Sequence, residues 1–145
     1  MAAKPEDLPA NWCAEVELEI PFHDIDAMEI VWHGHYAKYF EVARCKLLDQ
    51  LDYNYPQMRE SGFAWPVIDL HLRYVQPLRF HQRVIVTAWI QEWENRLRIQ
   101  YLISDAITGA RLTKGHSDQV ALNIKTKEML LASPNVLLKK LGIQP

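Results

Sequence analysis

The sequence predicts an α+β fold in which a curved antiparallel sheet of about five strands wraps one long central helix. Two patterns carry this expectation. One stretch, residues 36–51, has helical period, and five strand-like runs flank it along the chain. A third observation narrows the choice: a ferredoxin-like arrangement needs a second full-length helix between strands, and the sequence offers none.

The chain has 145 residues, of which 49% are hydrophobic and 23% charged, enough apolar material for one core. Residues 1–12 read as an N-terminal arm, with Pro5 and Pro9 favouring extended backbone, and 13–145 as a single domain. From Cys13 the pattern alternates, Glu15, Glu17 and Glu19 on one side and Val16, Leu18, Ile20 and Phe22 on the other. Pro21 marks this first strand as bent or lying at an edge. The helix follows, with Tyr36, Phe40, Ala43, Leu47 and Leu51 on one stripe and Tyr39 and Leu48 widening it. Strands are then expected over 64–75, 83–93, 96–106 and 111–123, with turns at Glu94–Asn95 and Thr108–Gly109. A short terminal helix over 134–141 is stopped by Gly142.

Charge and cysteine usage exclude several functions. Sixteen basic against eighteen acidic side chains give a net charge of -2, without the basic excess that nucleic-acid binding calls for. The longest uncharged run, 129–138, contains Pro134 and is too short to span a membrane. The N-terminus lacks the apolar core of a secretion signal, and Cys13 and Cys45 form no CxxC pair. A cytoplasmic protein with two buried, reduced thiols is the expectation.

The densest polar cluster is His23-Asp24-Ile25-Asp26, followed by Trp32-His33-Gly34-His35-Tyr36. Continued alternation sets Asp24 and Asp26 on the apolar side with Ile20 and Phe22, where a carboxylate must be bonded, paired or used. A turn aspartate can also spend itself on backbone amides. Gly34 at the helix start leaves backbone N–H groups near His33 facing outward, suited to an oxyanion on a reacting carbonyl. His23, Asp24, Asp26, His33 and His35 are metal-ligand types, but their spacing fits no zinc pattern and no metal is expected. No nucleophile elbow or Gly-rich phosphate loop is present.

The run from Phe22 through Asp24-Ile25-Asp26 to Trp32-His33-Gly34-His35-Tyr36, then Tyr39-Phe40-Glu41-Val42-Ala43-Arg44, resembles the signature of the 4-hydroxybenzoyl-CoA thioesterase family of hotdog-fold proteins. Arg73-Tyr74-Val75-Gln76-Pro77 also matches, so the resemblance covers about residues 13–131. It implies hydrolysis of an acyl-CoA or acyl-carrier-protein thioester without metal or prosthetic group. It maps the essential carboxylate onto Asp26 and the oxyanion-binding N–H onto His33, with Asp24 supporting and Tyr36 shaping the pocket. It further implies a homodimer or homotetramer with active sites at the subunit interface. Glu41 is the rival, helix-borne carboxylate, whose alternative is a helical ion pair with Arg44 or Lys38. Where the family usually has glycine after the acidic pair, this chain reads Ala27-Met28-Glu29-Ile30. In the hairpin that meets CoA phosphates in some relatives, Arg96 is the one basic residue, which keeps a carrier protein in view beside CoA. Two other functions compete: a non-catalytic acyl-thioester-binding protein, and a dehydratase, whose His–acid motifs are missing.

Overall fold

The computed structural model describes residues 4–144. Strand β1 (Cys13–Glu19) leads through a loop to helix α1 (Tyr36–Gln50) and a short helix α2 (Tyr55–Glu60). Strands β2 (Phe63–Ala64), β3 (Val67–Tyr74), β4 (Arg83–Glu92), β5 (Leu97–Asp105), β6 (Arg111–Gln119) and β7 (Leu122–Asn123) follow, and α3 (Asn135–Lys140) closes the chain. Five strands form one antiparallel sheet in the order β1-β4-β5-β6-β3, while β2 and β7 pair separately. This is the hotdog arrangement that the sequence predicts.

The sheet holds α1 by the stripe read from the sequence. Tyr36, Tyr39, Phe40, Ala43, Leu47 and Leu48 are all buried, against the buried Val84, Val86, Ala88 and Ile90 of β4 and Leu97, Ile99, Tyr101 and Ile103 of β5. At the centre the Phe40 ring stacks on Tyr101, centroids 4.3 Å apart and nearly parallel, and the Tyr101 hydroxyl shares a hydrogen bond of 2.7 Å with Ser117. Gly115 of β6 makes room for that stack.

Several expectations are corrected by local chemistry. The run 64–75 is split because Pro66 has no amide to donate to a ladder, and 111–123 is split at Val120–Ala121. The helix α2 was not foreseen; Asn54 and Gln57 form a reciprocal capping box around its first turn. Alternation after β1 stops at a 3-10 turn, Phe22–Asp24, so Ile20 is buried but Phe22 is 72% exposed. The arm is extended only in part. Pro5–Asp7 and Ala10–Trp12 are 3-10 turns, and Trp12 Nε1 donates to the Leu141 carbonyl at 3.0 Å; residues 1–3 lie outside the described residues. Neither thiol is fully buried: Cys13 is half-buried, and Cys45 is exposed because it falls outside the apolar stripe of α1. No helix among the described residues is long and apolar enough to cross a membrane.

The two edges of the sheet are unlike. Along β1, Glu15, Glu17 and Glu19 are exposed, with Glu17 bound to Arg83 at 3.0 Å and Glu19 to His81 at 2.9 Å. Along β3, Val67, Ile68, Leu70 and Tyr74 are between 42% and 52% exposed.

A methyl group at Gly115 would sit 2.3 Å from the His71 carbonyl and 2.6 Å from the Phe40 ring. Gly115→Ala is therefore expected to cost about 2 kcal/mol or more, as overpacked cores do. Urea denaturation followed by circular dichroism measures it; an unchanged midpoint would contradict this packing.

Candidate active site

Everything in the site hangs on the loop between β1 and α1. Ile25 and Val31 bridge, Asp26 N–H donates to the Ile30 carbonyl at 2.9 Å, and Glu29 N–H returns to the Asp26 carbonyl at 3.0 Å. This tight hairpin carries Asp26 at its base. Glu29 occupies the left-handed region at φ 65°, the conformation that glycine adopts without penalty. Asp26 Oδ1 accepts the Met28 N–H at 2.8 Å, an Asx-type contact that fixes the carboxylate and leaves Oδ2 without a protein partner among the described residues.

The hairpin is anchored at both ends. Val31 N–H bonds the Leu78 carbonyl at 2.9 Å, and Trp32 N–H bonds the Asp24 carbonyl at 3.1 Å. The Asp24 side chain is 1% exposed and takes Lys38 Nζ at 2.8 Å and the Tyr39 hydroxyl at 2.5 Å, both from the first turns of α1. Burial pushes the Asp24 carboxyl toward the neutral form, but the Lys38 and Tyr39 bonds outweigh it and the pKa falls below the ordinary carboxylate value. Tyr39 moves the other way, raised by burial and by the carboxylate it serves.

A 3-10 turn, His33–His35, then feeds α1, which begins without a side-chain cap. Among the described residues no protein acceptor takes the N–H of His33 or Gly34. The Trp32 ring lies over Gly34; an added Cβ would fall 2.2 Å from that ring, which would have to swing away. From β3, the Tyr74 hydroxyl donates to the His33 carbonyl at 2.7 Å, and its ring meets Tyr36 edge-on with centroids 4.7 Å apart. Tyr36 in turn accepts the Leu78 N–H at 3.2 Å through its hydroxyl.

These contacts bring Asp26, His33 and Tyr36 to one cavity of about 250 Å³, shared with Ile30, Val31, Tyr74, Val75, Gln76 and Pro77. A carboxylate, unpaired amides at a helix start and an apolar lining form a place for a carbonyl whose oxygen gains negative charge. Asp24 lies behind the cavity, as a support between hairpin and helix. Tyr74 and Gln76 were not singled out as site residues; the signal was the Arg73–Pro77 run, where Pro77 ends the strand's ladder.

The other candidates lie elsewhere. Glu41 is exposed, ion-paired to Arg44, and lines a separate cavity of about 620 Å³ with Leu48, Met58, Phe63 and Trp65 among its walls. Arg96 lines neither cavity; its guanidinium binds Glu92 at 3.1 Å and Asp118 at 3.3 Å. Among the described residues the one cluster with metal-ligand spacing is Asp69, His116 and Asp118, on the outer face of the sheet. There Asp118 is already clamped by Arg98 at 2.7 and 2.8 Å, which leaves its charge neutralised.

Comparisons with known proteins bear on the family and the fold. The sequence profile of the thioesterase-like superfamily matches residues 20–141. YneP of Bacillus subtilis, named as a candidate acyl-CoA thioesterase, is 32% identical over 77 residues, 53% of this chain and 56% of its own. The chain thus spans little more than half of that relative. A chloroplast acyl-acyl carrier protein thioesterase of Arabidopsis thaliana is 29% identical over 76 residues, 52% of this chain and 40% of its own. A DHNA-CoA thioesterase structure from Staphylococcus aureus superposes with a TM-score of 0.73 at 27% identity, covering 82% of this chain and 80% of that one.

The Asp24 anchor makes a test of stability rather than of chemistry. Asp24→Asn should cost about 2–4 kcal/mol at neutral pH, since Lys38 and Tyr39 lose a buried charged acceptor. Because the folded pKa is lowered, that stabilisation is present above the unfolded value near 4 and fades as pH falls through the folded one. Thermal melts of both proteins from pH 7 down to 2 should show the gap closing in acid; a constant gap would contradict an ionised Asp24.

Proposed function

The chain belongs to the thioesterase-like superfamily, and on that premise we propose that it hydrolyses acyl thioesters with Asp26 as the reacting carboxylate. The observation that carries this reading is the single cavity lined by Asp26 and by the helix start whose His33 amide is unpaired. The substrate carbonyl oxygen points at that amide. Asp26 either attacks the carbonyl carbon itself or takes the proton of an attacking water. The oxyanion that forms is held by the His33 N–H and the positive end of α1. Collapse breaks the C–S bond and the thiolate leaves to be protonated; the water route releases the acid directly, whereas direct attack leaves an acyl anhydride on Asp26 that a water then hydrolyses to free the acid and the carboxylate.

The resemblance to 4-hydroxybenzoyl-CoA thioesterases gives the finer placement, with Tyr36 shaping the pocket and Asp24 holding the loop. A non-catalytic acyl-thioester carrier would have no use for a fixed carboxylate facing an empty oxyanion position, so hydrolysis is preferred. Glu41 is the lesser candidate because its charge is spent on Arg44, outside the Asp26 cavity. The exposed Cys45 thiol suits a reducing compartment such as the cytoplasm. We take the working unit to be a homodimer or homotetramer, since β3 leaves an apolar, unpaired edge to cover.

Two measurements test this. Asp26→Asn should lower kcat at least about a hundredfold with the fold intact, the range of a lost general base. Glu41→Gln should keep most of the activity; free thiol release from an acyl-CoA panel reports both, and a dead Glu41→Gln with an active Asp26→Asn reverses the assignment. The second compares one acyl group on CoA and on a carrier protein. With Arg96 committed to Glu92 and Asp118, kcat/KM for the carrier should equal or exceed that for CoA. A strong CoA preference lost on Arg96→Ala would refute that expectation and leave the hydrolase reading in place.

A further inference from the structure

The cavity of about 620 Å³ takes no part in the chemistry read above, yet its wall carries an unused acceptor. Gln119 ends β6, opposite the buried Leu97 of β5, and is itself 4% exposed. Its Nε2 donates to the Trp65 carbonyl at 2.7 Å, which fixes the orientation of the amide, because a carbonyl accepts only from the amide nitrogen. Oε1 is left buried with no hydrogen bond among the described residues. Gln91, Thr113 and Ser133 carry such an atom too, but of these four residues Gln119 alone lines either cavity. A buried acceptor without a donor costs stability, and one set in a cavity wall is a position that a ligand's donor fills.

The rest of the lining decides what carries that donor. Met58, Phe63, Trp65 and Leu122 make an apolar wall, and Trp65 is held at both ends, since its Nε1 also donates to the Tyr53 hydroxyl at 3.0 Å. Charge lies at the rim. Arg59 and Lys127 are exposed, line the same cavity and enter no ion pair among the described residues, whereas Arg44 is spent on Glu41. An anionic group therefore suits the mouth, an apolar body the wall, and a neutral donor the depth. An ammonium in place of that donor would bring a buried charge to an amide that cannot match it. A hydroxyl meets the need without one, and a cavity of this size has room for the whole molecule.

We propose that this cavity is a second binding site, for an apolar carboxylic acid that bears a hydroxyl: the hydroxyl donates to Gln119 Oε1 and the carboxylate meets Arg59 and Lys127. Among the described residues none lines both this cavity and that of Asp26, so the acid is held apart from the reacting carboxylate. The site carries its own reporter. Cys45 lines the cavity with an exposed thiol, 3.3 Å from Asn54 Nδ2, and an occupant covers it.

Calorimetric titration of the full chain with ω-hydroxydecanoic, decanoic and ω-methoxydecanoic acids tests the donor, and hydroxynaphthoic, naphthoic and methoxynaphthoic acids repeat the test on a flat body. In at least one series the hydroxy acid should bind about tenfold more tightly than either companion, because the ether accepts but cannot donate. Equal binding throughout both series overturns the proposal in the wild-type protein, whatever the variants do. Gln119→Leu should erase the preference while the unsubstituted acid binds no more weakly; a preference that survives places the hydroxyl elsewhere and overturns the Gln119 contact. Bound acid should slow alkylation of Cys45 by iodoacetamide, read by peptide mass, with Cys13 unaffected; unchanged Cys45 reactivity overturns the location. Asp26→Asn should bind the acid as wild type does, and a tenfold loss there puts the acid in the other cavity and overturns the second site. Thioester hydrolysis by the same Asp26→Asn protein reports separately on the hydrolase reading.

Discussion

The Asp24 carboxylate, buried and bonded by Lys38 and Tyr39, welds the hairpin before α1 to the helix itself. The geometry of the candidate site depends on that weld. Asp26 sits two residues further along, at the base of the hairpin, and the His33 amide belongs to the turn that starts the same helix. Removing the Asp24 carboxylate would take away the bonds that run directly from the hairpin to Lys38 and Tyr39 of the helix. With it in place, hairpin and helix move as one body, which a preorganised oxyanion site requires. Asp24 also accounts for why two neighbouring carboxylates differ so much: one is a structural anion with its charge fully matched, the other keeps an oxygen free.

Much of this was legible in the sequence because periodicity is a backbone property. The stripe Tyr36–Phe40–Ala43–Leu47 and the strand alternation of Val84, Val86 and Ala88 translate directly into burial. What alternation could not foresee is where it ends. Extrapolated past Pro21 it put Asp24 and Asp26 on one face, whereas a 3-10 turn over Phe22–Asp24 breaks the alternation and only Asp24 is fully buried. The six-residue α2 has too few turns for a period to show, and its local signs are the Asn54–Gln57 cap and Pro56 in the first turn. Pairings across the sheet, such as Arg96 and Arg98 with Asp118, depend on which strands lie side by side and so escaped a linear reading.

The two cavities differ in their linings, and the topology sets them apart. The strand β3 runs between them, with the small one at its Tyr74 end and the large one beyond its Val67 end. One holds a carboxylate and free amides; the other holds aromatic and aliphatic walls with Arg44, Arg59 and Lys127 at hand.

The Tyr74 hydroxyl has a further role beyond lining a wall. It grips the carbonyl of His33 from the last residue of an edge strand, so the orientation of the first helical amides is mechanically tied to the straightness of that strand. An edge that frays does so fastest at its ends. Amide exchange at His33 and Gly34 would therefore follow the local opening of β3 rather than that of α1, and whatever clamps the strand would quiet the amides. The protein's catalytic precision would be set, in that sense, by the stiffness of its outermost strand.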